Sequence, residues 1–269
     1  MRDSVDTHPL GTLIARLEDE QGPVTVYERD GRRYLSFGNA VEQSCQRIAL
    51  PQQPVHVYIQ AMLLGLVLSP DAPDAMLLGL GGGSLVHALR HLRPRMRIDA
   101  VDQRQAVIDA ATRHFGLVPD RRLQLHRASA EAFVGQGERT HRLIMLDLYL
   151  ADGVHPAQTE LEFLAACRQR LDDRGLLIAN HWCSEFRDSR RAHAALTRVF
   201  GDSILYLHVQ GGNTIAFGFA GGLPVLQREA FFQQAQDMGL QLQIPLQTLA
   251  RNFWRQNAEP LQLGRFRRR

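Results

Sequence analysis

Four of the five residues from Gly79 to Gly83 are glycine, with Leu80 between them and Ser84 after them. Glycine weakens helices and strands alike, so this segment must be a turn. The apolar run Ala75 to Leu80 precedes it and the helical pattern Leu85 to Leu92 follows, making it the link from a strand to a helix. At such a link, missing side chains let the backbone approach a ligand, and the helix N-terminus offers free N–H groups. Asp102 closes the next apolar run, Arg97 to Val101, 21 residues after Gly81. A carboxylate there can accept hydrogen bonds from both ribose hydroxyls. The reading is a nucleotide or nucleoside site. NAD and an adenosyl ligand both stay open, because Gly79, Gly81 and Ser84 admit a GxGxx[GA]-like reading.

The same rhythm continues downstream. Ala106 to Phe115 is helical, Leu123 to His126 and Leu143 to Leu148 are strands, Glu160 to Leu171 is an amphipathic helix, and Leu176 to Asn180 is a fifth strand. Strands alternating with helices predict an α/β fold with a doubly wound, mostly parallel sheet. Ser203 to Val209 and Thr214 to Ala220 are joined by only Gln210-Gly211-Gly212-Asn213, too short for a crossover helix, so they form an antiparallel terminal strand pair. Upstream, Val24 to Tyr27 and Tyr34 to Phe37 flank an Asp30-Gly31 turn and predict a small N-terminal β domain. Val57 to Leu68 lacks strand alternation and reads as one buried helix, ended by Ser69-Pro70-Asp71-Ala72-Pro73. Glu229 to Gly239 and Leu246 to Gln256 read as terminal helices. The expected units are residues 1–70, a β hairpin unit with its connecting helix; 71–222, the ligand-binding sheet; and 223–269, C-terminal helices with a basic tail.

Composition narrows the chemistry. All 31 residues counted as Lys+Arg are arginine, against 28 acids, for a net charge of +3. Pyridoxal Schiff bases, lysine nucleophiles and the P-loop lysine are therefore excluded. No general nucleic-acid footprint is expected from so small a net charge. Cys45, Cys167 and Cys183 have no metal-ligand or disulfide-framework spacing, and neither an apolar leader nor a run of ~20 apolar residues is seen, so the expectation is a cytoplasmic protein off the membrane.

Five parallel strands closed by an antiparallel pair form the architecture of methyltransferase-like folds that bind S-adenosyl compounds. Within it, Met76 to Leu85, Ile98 to Asp102 and Ile144-Met145-Leu146-Asp147 resemble the spermidine synthase family and its methyltransferase-like relatives. The small N-terminal β domain, Gln43 after its strands and the Tyr58-Ile59-Gln60-Ala61-Met62 helix extend the resemblance over most of the chain. It implies a polyamine aminopropyltransferase, a homodimer that moves an aminopropyl group from decarboxylated S-adenosylmethionine to an amine such as putrescine, with no metal. Two other readings stand beside it: methyl transfer from S-adenosylmethionine, and a non-catalytic nucleoside-binding or assembly protein.

By this resemblance Asp147 is the catalytic carboxylate, with Tyr149 and Asp152 beside it. Cofactor binding falls to Gln43, Tyr58, Gly79, Gly81, Gly82, Gly83, Ser84, Asp102, Ser129 and Ala130. Ser84 stands where the family's loop has an aspartate, Ser129 stands where an acid precedes the adenine-contacting alanine, and Asp152 follows Asp147 at a wider spacing than the family's pair. The expected consequence is a pocket poorer in acids than a dicationic amine requires. His87 and His91 are spaced i, i+4 without a third ligand, and read as surface or packed histidines. His155 and His181 follow strand C-termini and take no assigned role. The arginines near residues 90–97 and at 265–269 read as a solvated face and a tail.

Overall fold

The computed structural model describes residues 8–150, 153–182 and 186–261. Asp152, Cys183 and the arginines at 265–269 lie outside the described residues. The N-terminal unit is a four-stranded antiparallel meander of β1 (Thr12–Asp19), β2 (Gly22–Arg29), β3 (Arg32–Ser36) and β4 (Ser44–Arg47). Its expected hairpin turn has positive φ at both Asp30 (51°) and Gly31 (69°), the type I′ requirement. Val24, Val26 and Leu35 on its inner face belong to the same buried cluster as the helices of the main domain. This sheet is therefore anchored on the ligand-binding domain.

The expected helix over 57–68 has the right extent but is interrupted, giving α1 (Val57–Met62) and α2 (Leu64–Leu68). The break at Leu63 is mild, because Leu63 stays in the right-handed helical region and the Leu66 amide bonds its carbonyl at 3.0 Å. Gly65 lies directly against the Ile178 side chain, which no larger residue would permit.

The main sheet follows as β5 (Asp74–Leu78), α3 (Ser84–Leu92), β6 (Arg97–Asp102), α4 (Gln105–Arg113), β7 (Leu123–Arg127), α5 (Ala130–Gln136) and β8 (His141–Leu146). A two-residue ribbon comes next, β9 (Tyr149–Leu150) with β10 (Gly153–Val154), then α6 (Leu161–Gln169) and the long β11 (Leu171–Trp182). The chain closes with α7 (Phe186–Phe200), β12 (Ile204–His208), β13 (Asn213–Phe219), α8 (Arg228–Leu242) and α9 (Leu246–Gln256). Seven strands lie in the order β12-β13-β11-β8-β5-β6-β7. β5, β6, β7, β8 and β11 pair in parallel, while β13 runs antiparallel to both β11 and β12. The strand order reverses between β5 and β8, which opens a crevice at their C-terminal ends, the usual ligand position in such sheets. Among the described residues no helix is long and apolar enough to cross a membrane.

One buried ion pair ties the two sheets together. Arg104 donates to both carboxylate oxygens of Asp19 at 2.8–3.2 Å, and the two side chains are only 7% and 5% exposed. Burial raises the Asp19 pKa, but the Arg104 bonds and the amides of Gln21 and Ala106 outweigh it and hold the carboxyl below its ordinary range. Arg104→Ala should lower unfolding free energy by about 3–5 kcal/mol, because it strands a buried charge. Replacing both partners, Arg104→Met with Asp19→Leu, should recover most of that loss in urea titrations.

Candidate active site

The glycine loop crosses the end of β8. The Asp147 amide donates to the Leu78 carbonyl at 2.9 Å, and a Cβ on Gly79 (φ 97°) would collide with the Asp147 carbonyl. Only glycine fits there on both counts, conformation and space. The loop also turns its own amides inward. Gly79 N–H bonds the Val101 carbonyl at 3.0 Å, Leu80 N–H bonds the Asp102 carboxylate at 3.1 Å, and Gly81 N–H reaches the same carboxylate. Gly82 N–H bonds the Ser44 hydroxyl at 3.0 Å, and Gly83 N–H bonds the Leu80 carbonyl at 2.9 Å. The amides of Gly79, Leu80, Gly82 and Gly83 are thus taken up within the protein.

A cavity of about 580 Å³ opens above this crossing, between the β5, β6 and β8 termini and the N-terminal sheet. Gln43, Tyr58, Gly79, Gly81, Ser84, Asp102, Ala130, Asp147 and Tyr149 all line it. Gly82 and Gly83 stand behind the wall, packed on Phe115 and Leu117. Ser129 acts as the cap of α5, its hydroxyl accepting from the Ala132 amide at 3.1 Å. Ser84 is buried, and its hydroxyl donates to the Cys45 carbonyl at 3.3 Å. His87 Nε2 donates to the Phe115 carbonyl at 2.8 Å and so has a packing role.

The expectation of an acid-poor pocket is not met. Glu42 and Glu131 join Asp102 and Asp147 on its wall, and among the described residues no arginine lines it. Glu42 enters from the segment before β4, where its Oε1 lies 2.8 Å from His56 Nε2. Phe37 and Trp182 supply aromatic wall, and Arg104 stays outside, its guanidinium 4.8 Å over the far side of the Phe37 ring. In a chain with 31 arginines, a wall whose described residues include four acids and no arginine has a negative local charge.

Asp147 is held by a short polar network. Asn180 on β11 donates to its Oδ1 at 2.9 Å, and Asn213 at the start of β13 donates to the Asn180 side-chain carbonyl at 2.9 Å. The Tyr58 hydroxyl donates to the same carboxylate, and burial together with the Asp147 charge keeps that phenol protonated by raising its pKa well above the ordinary range. Burial pushes the Asp147 carboxyl up to about 6, against the Asn180 bond, the His56 charge and the Tyr58 bond. Asp102 is likewise raised by burial, opposed by the amides of Arg104 and Leu80. The sequence reading missed Asn180 and Asn213, yet Asn180 ends the apolar run of a parallel strand, where such sheets place functional groups.

No family model matches the chain. It is 27% identical to a polyamine aminopropyltransferase of Vibrio vulnificus, over 86% of this chain and 79% of that one. It is 26% identical to one of Neisseria meningitidis, over 72% of this chain and 74% of that one. A methyltransferase of Danio rerio named for eEF1A lysine and N-terminal methylation is 33% identical, but over 48% of this chain and 20% of that much longer protein. Among solved structures, spermidine synthase from Thermotoga maritima superposes with a TM-score of 0.72 at 14% identity, covering 94% of this chain and 88% of that one. Human methyltransferase-like protein 13 gives 0.59 at 24% identity, covering 70% of this chain and 93% of that one. Fold and crevice thus define a methyltransferase-like α/β protein with an added N-terminal sheet. Within that class the chain is a divergent, spermidine-synthase-like enzyme.

Asn180→Ala removes a hydrogen bond that favours the charged carboxylate, so the Asp147 ionisation should move above about 6. Carboxyl carbon NMR titration of the folded variant reads this directly, and an unchanged midpoint would contradict the network's role.

Proposed function

We propose that the protein transfers an aminopropyl group from decarboxylated S-adenosylmethionine to a small amine of the putrescine class. The observation that carries this reading is the half-buried Asp147 carboxylate, held by Asn180 in a pocket that, among the described residues, is lined by four acids and no arginine. The wall suits a donor and an acceptor that are both cationic. Asp102 at the end of β6 would accept from the ribose hydroxyls, and Gln43 and Tyr58 line the same cavity.

The sulfonium supplies its own leaving group, so the protein's work is positioning and proton removal. A free alkyl amine is mostly protonated near pH 7, close to the unperturbed ~10.4 of a lysine. Asp147 accepts that proton, which leaves the nitrogen lone pair free to attack the methylene carbon beside sulfur. The new C–N bond forms as the C–S bond breaks, and its electron pair leaves on the neutral thioether, methylthioadenosine. Raised to about 6, the Asp147 pKa lies closer to the working range of a general base than that of an ordinary aspartate.

The same wall weighs against methyl transfer and against NAD. S-adenosylmethionine carries an α-carboxylate and NAD a pyrophosphate, and both would need cations or free loop amides. Among the described residues no arginine lines the pocket, and the amides of Gly79, Leu80, Gly82 and Gly83 are already bonded within the protein. Decarboxylated donor lacks the offending group.

Three outcomes follow for the purified protein. With decarboxylated donor and putrescine, Asp147→Asn should lower kcat by about 10²–10⁴ while donor binding persists. The wild-type kcat/KM should fall as pH drops through about 6, because the base is active only when ionised. Decarboxylated donor should raise the Tm more than S-adenosylmethionine does, and the reverse order with methylated product would replace this reading by methyl transfer.

A further inference from the structure

Among the described residues no arginine lines the pocket around Asp147, but arginine collects at the opposite end of the same sheet. Three loops meet there, leading into β5, β6 and β7. They are bonded to one another, the Arg97 amide to the Pro73 carbonyl at 3.0 Å and the Ile98 amide to the Arg122 carbonyl at 2.7 Å, and the loop before β6 is turned by the Met96 amide bonding the Arg93 carbonyl at 2.9 Å. Between them lies a cleft of about 760 Å³ walled by Arg93, Arg95, Arg97, Arg121 and Arg122. Its floor is apolar, with Ala72, Pro73, Leu92 and Met96, and among the described residues no acid lines it.

These charges are poorly neutralised. Arg122 donates to the Pro94 carbonyl at 3.2 Å and Arg93 to the Leu92 carbonyl at 3.0 Å, bonds that fix the side chains without cancelling charge. Arg97 comes no nearer than 3.7 Å to Asp74, whose carboxylate is already held by Arg139 at 2.8 Å and by the Arg142 amide at 2.9 Å. Arg95 and Arg121 are exposed and make no side-chain hydrogen bond or ion pair among the described residues. The neighbouring Arg90, by contrast, is paired with Asp120 at 2.7 Å. Five guanidinium groups around one cleft repel each other unless an anion sits among them.

We propose that this cleft binds a polyphosphate, free or carried by a nucleoside. Guanidinium groups present planar pairs of donors that match phosphate oxygens, and arginines arriving from different loops need several linked phosphates to be engaged together. The exposed rings of Pro73 and Pro94 offer an apolar rim on which a base can rest. The site lies at the N-terminal ends of β5 and β6, whereas the catalytic pocket lies at their C-terminal ends, so the proposal does not depend on the reaction assigned there.

Calorimetry on the full chain with inorganic tripolyphosphate, ATP, orthophosphate and a single-stranded oligonucleotide tests it. The expected result is one-to-one binding of tripolyphosphate and ATP, weakened about tenfold or more in the double variant Arg95→Ser, Arg121→Ser, and unaffected by Asp147→Asn. Tighter binding of ATP than tripolyphosphate identifies the nucleoside-borne form; equal binding identifies the phosphate chain alone. Arg95→Gln by itself carries the same comparison should the double variant fold poorly. Unchanged affinity in the variants, or orthophosphate binding as tightly as tripolyphosphate, would overturn the proposal. Several protein chains binding one oligonucleotide in preference to ATP would also overturn it, in favour of a nucleic-acid surface.

Discussion

The contact between Gly79 and the backbone of Asp147 sets the geometry of everything around it. It brings the end of β5 against the end of β8 at the point where strand order reverses, closer than any side chain would allow. The carboxylate of Asp147 is thereby placed beside the glycine loop and opposite Asp102, with the N-terminal sheet closing the space above. Gly82 and Ser84 bond Ser44 and Cys45 in β4, so the loop that frames the pocket is also the seam between the two sheets. Arg104 and Asp19 lock the same seam from the far side. The seam's position fixes the pocket's shape.

Burying Asp147 at that seam is costly, and the network around it offsets the cost only in part. A carboxylate with two good hydrogen bonds would ordinarily titrate low, yet here burial still wins and the group rises to about 6. On the proposed reading, the remaining bias toward the neutral form suits the carboxylate to accept a proton from a cationic amine. A cationic amine entering beside the carboxylate supplies the missing counter-charge, and the proton it brings is one the carboxylate is disposed to take. Asn180 cannot orient itself for this task alone. Asn213, reached only because β13 doubles back against β11, fixes which way its amide points.

The parallel core could be read from the sequence because buried strands are continuous apolar runs and glycine turns punctuate them, as at Leu77 to Gly83. Asp102 and Asp147 were legible for the same reason, each being the polar residue that ends such a run. β1 and α7 were not, since β1 is an exposed edge with a weak alternating pattern and α7 is rich in arginine and carries only a narrow apolar stripe. The acidity of the pocket was misjudged for a different reason. Ser84 and Ser129 occupy positions where acids were looked for, while Glu42 and Glu131 arrive from segments whose approach depends on how the two sheets dock. Local patterns report local structure, and the charge of a pocket is a property of the docking.

The absence of lysine gives these observations a common cause. Every basic side chain other than histidine is a guanidinium that stays charged and cannot serve as a proton acceptor, so a base in this pocket has to be a carboxylate, a tyrosine or a histidine. Tyr58 is held protonated by burial and by the charge it faces, which makes it a donor to Asp147. His155 is committed to the Ala157 amide through Nδ1, at 3.3 Å. On the proposed reading the base is Asp147, whose carboxyl lines the cavity and is pushed up to about 6 by burial. A permanently charged arginine on the wall would lower that pKa, making the carboxylate a weaker base, and compete for the amine's place. Among the described residues arginine stays off the pocket wall at one end of the sheet and gathers at the other, which on the proposed reading leaves the place beside Asp147 to the amine.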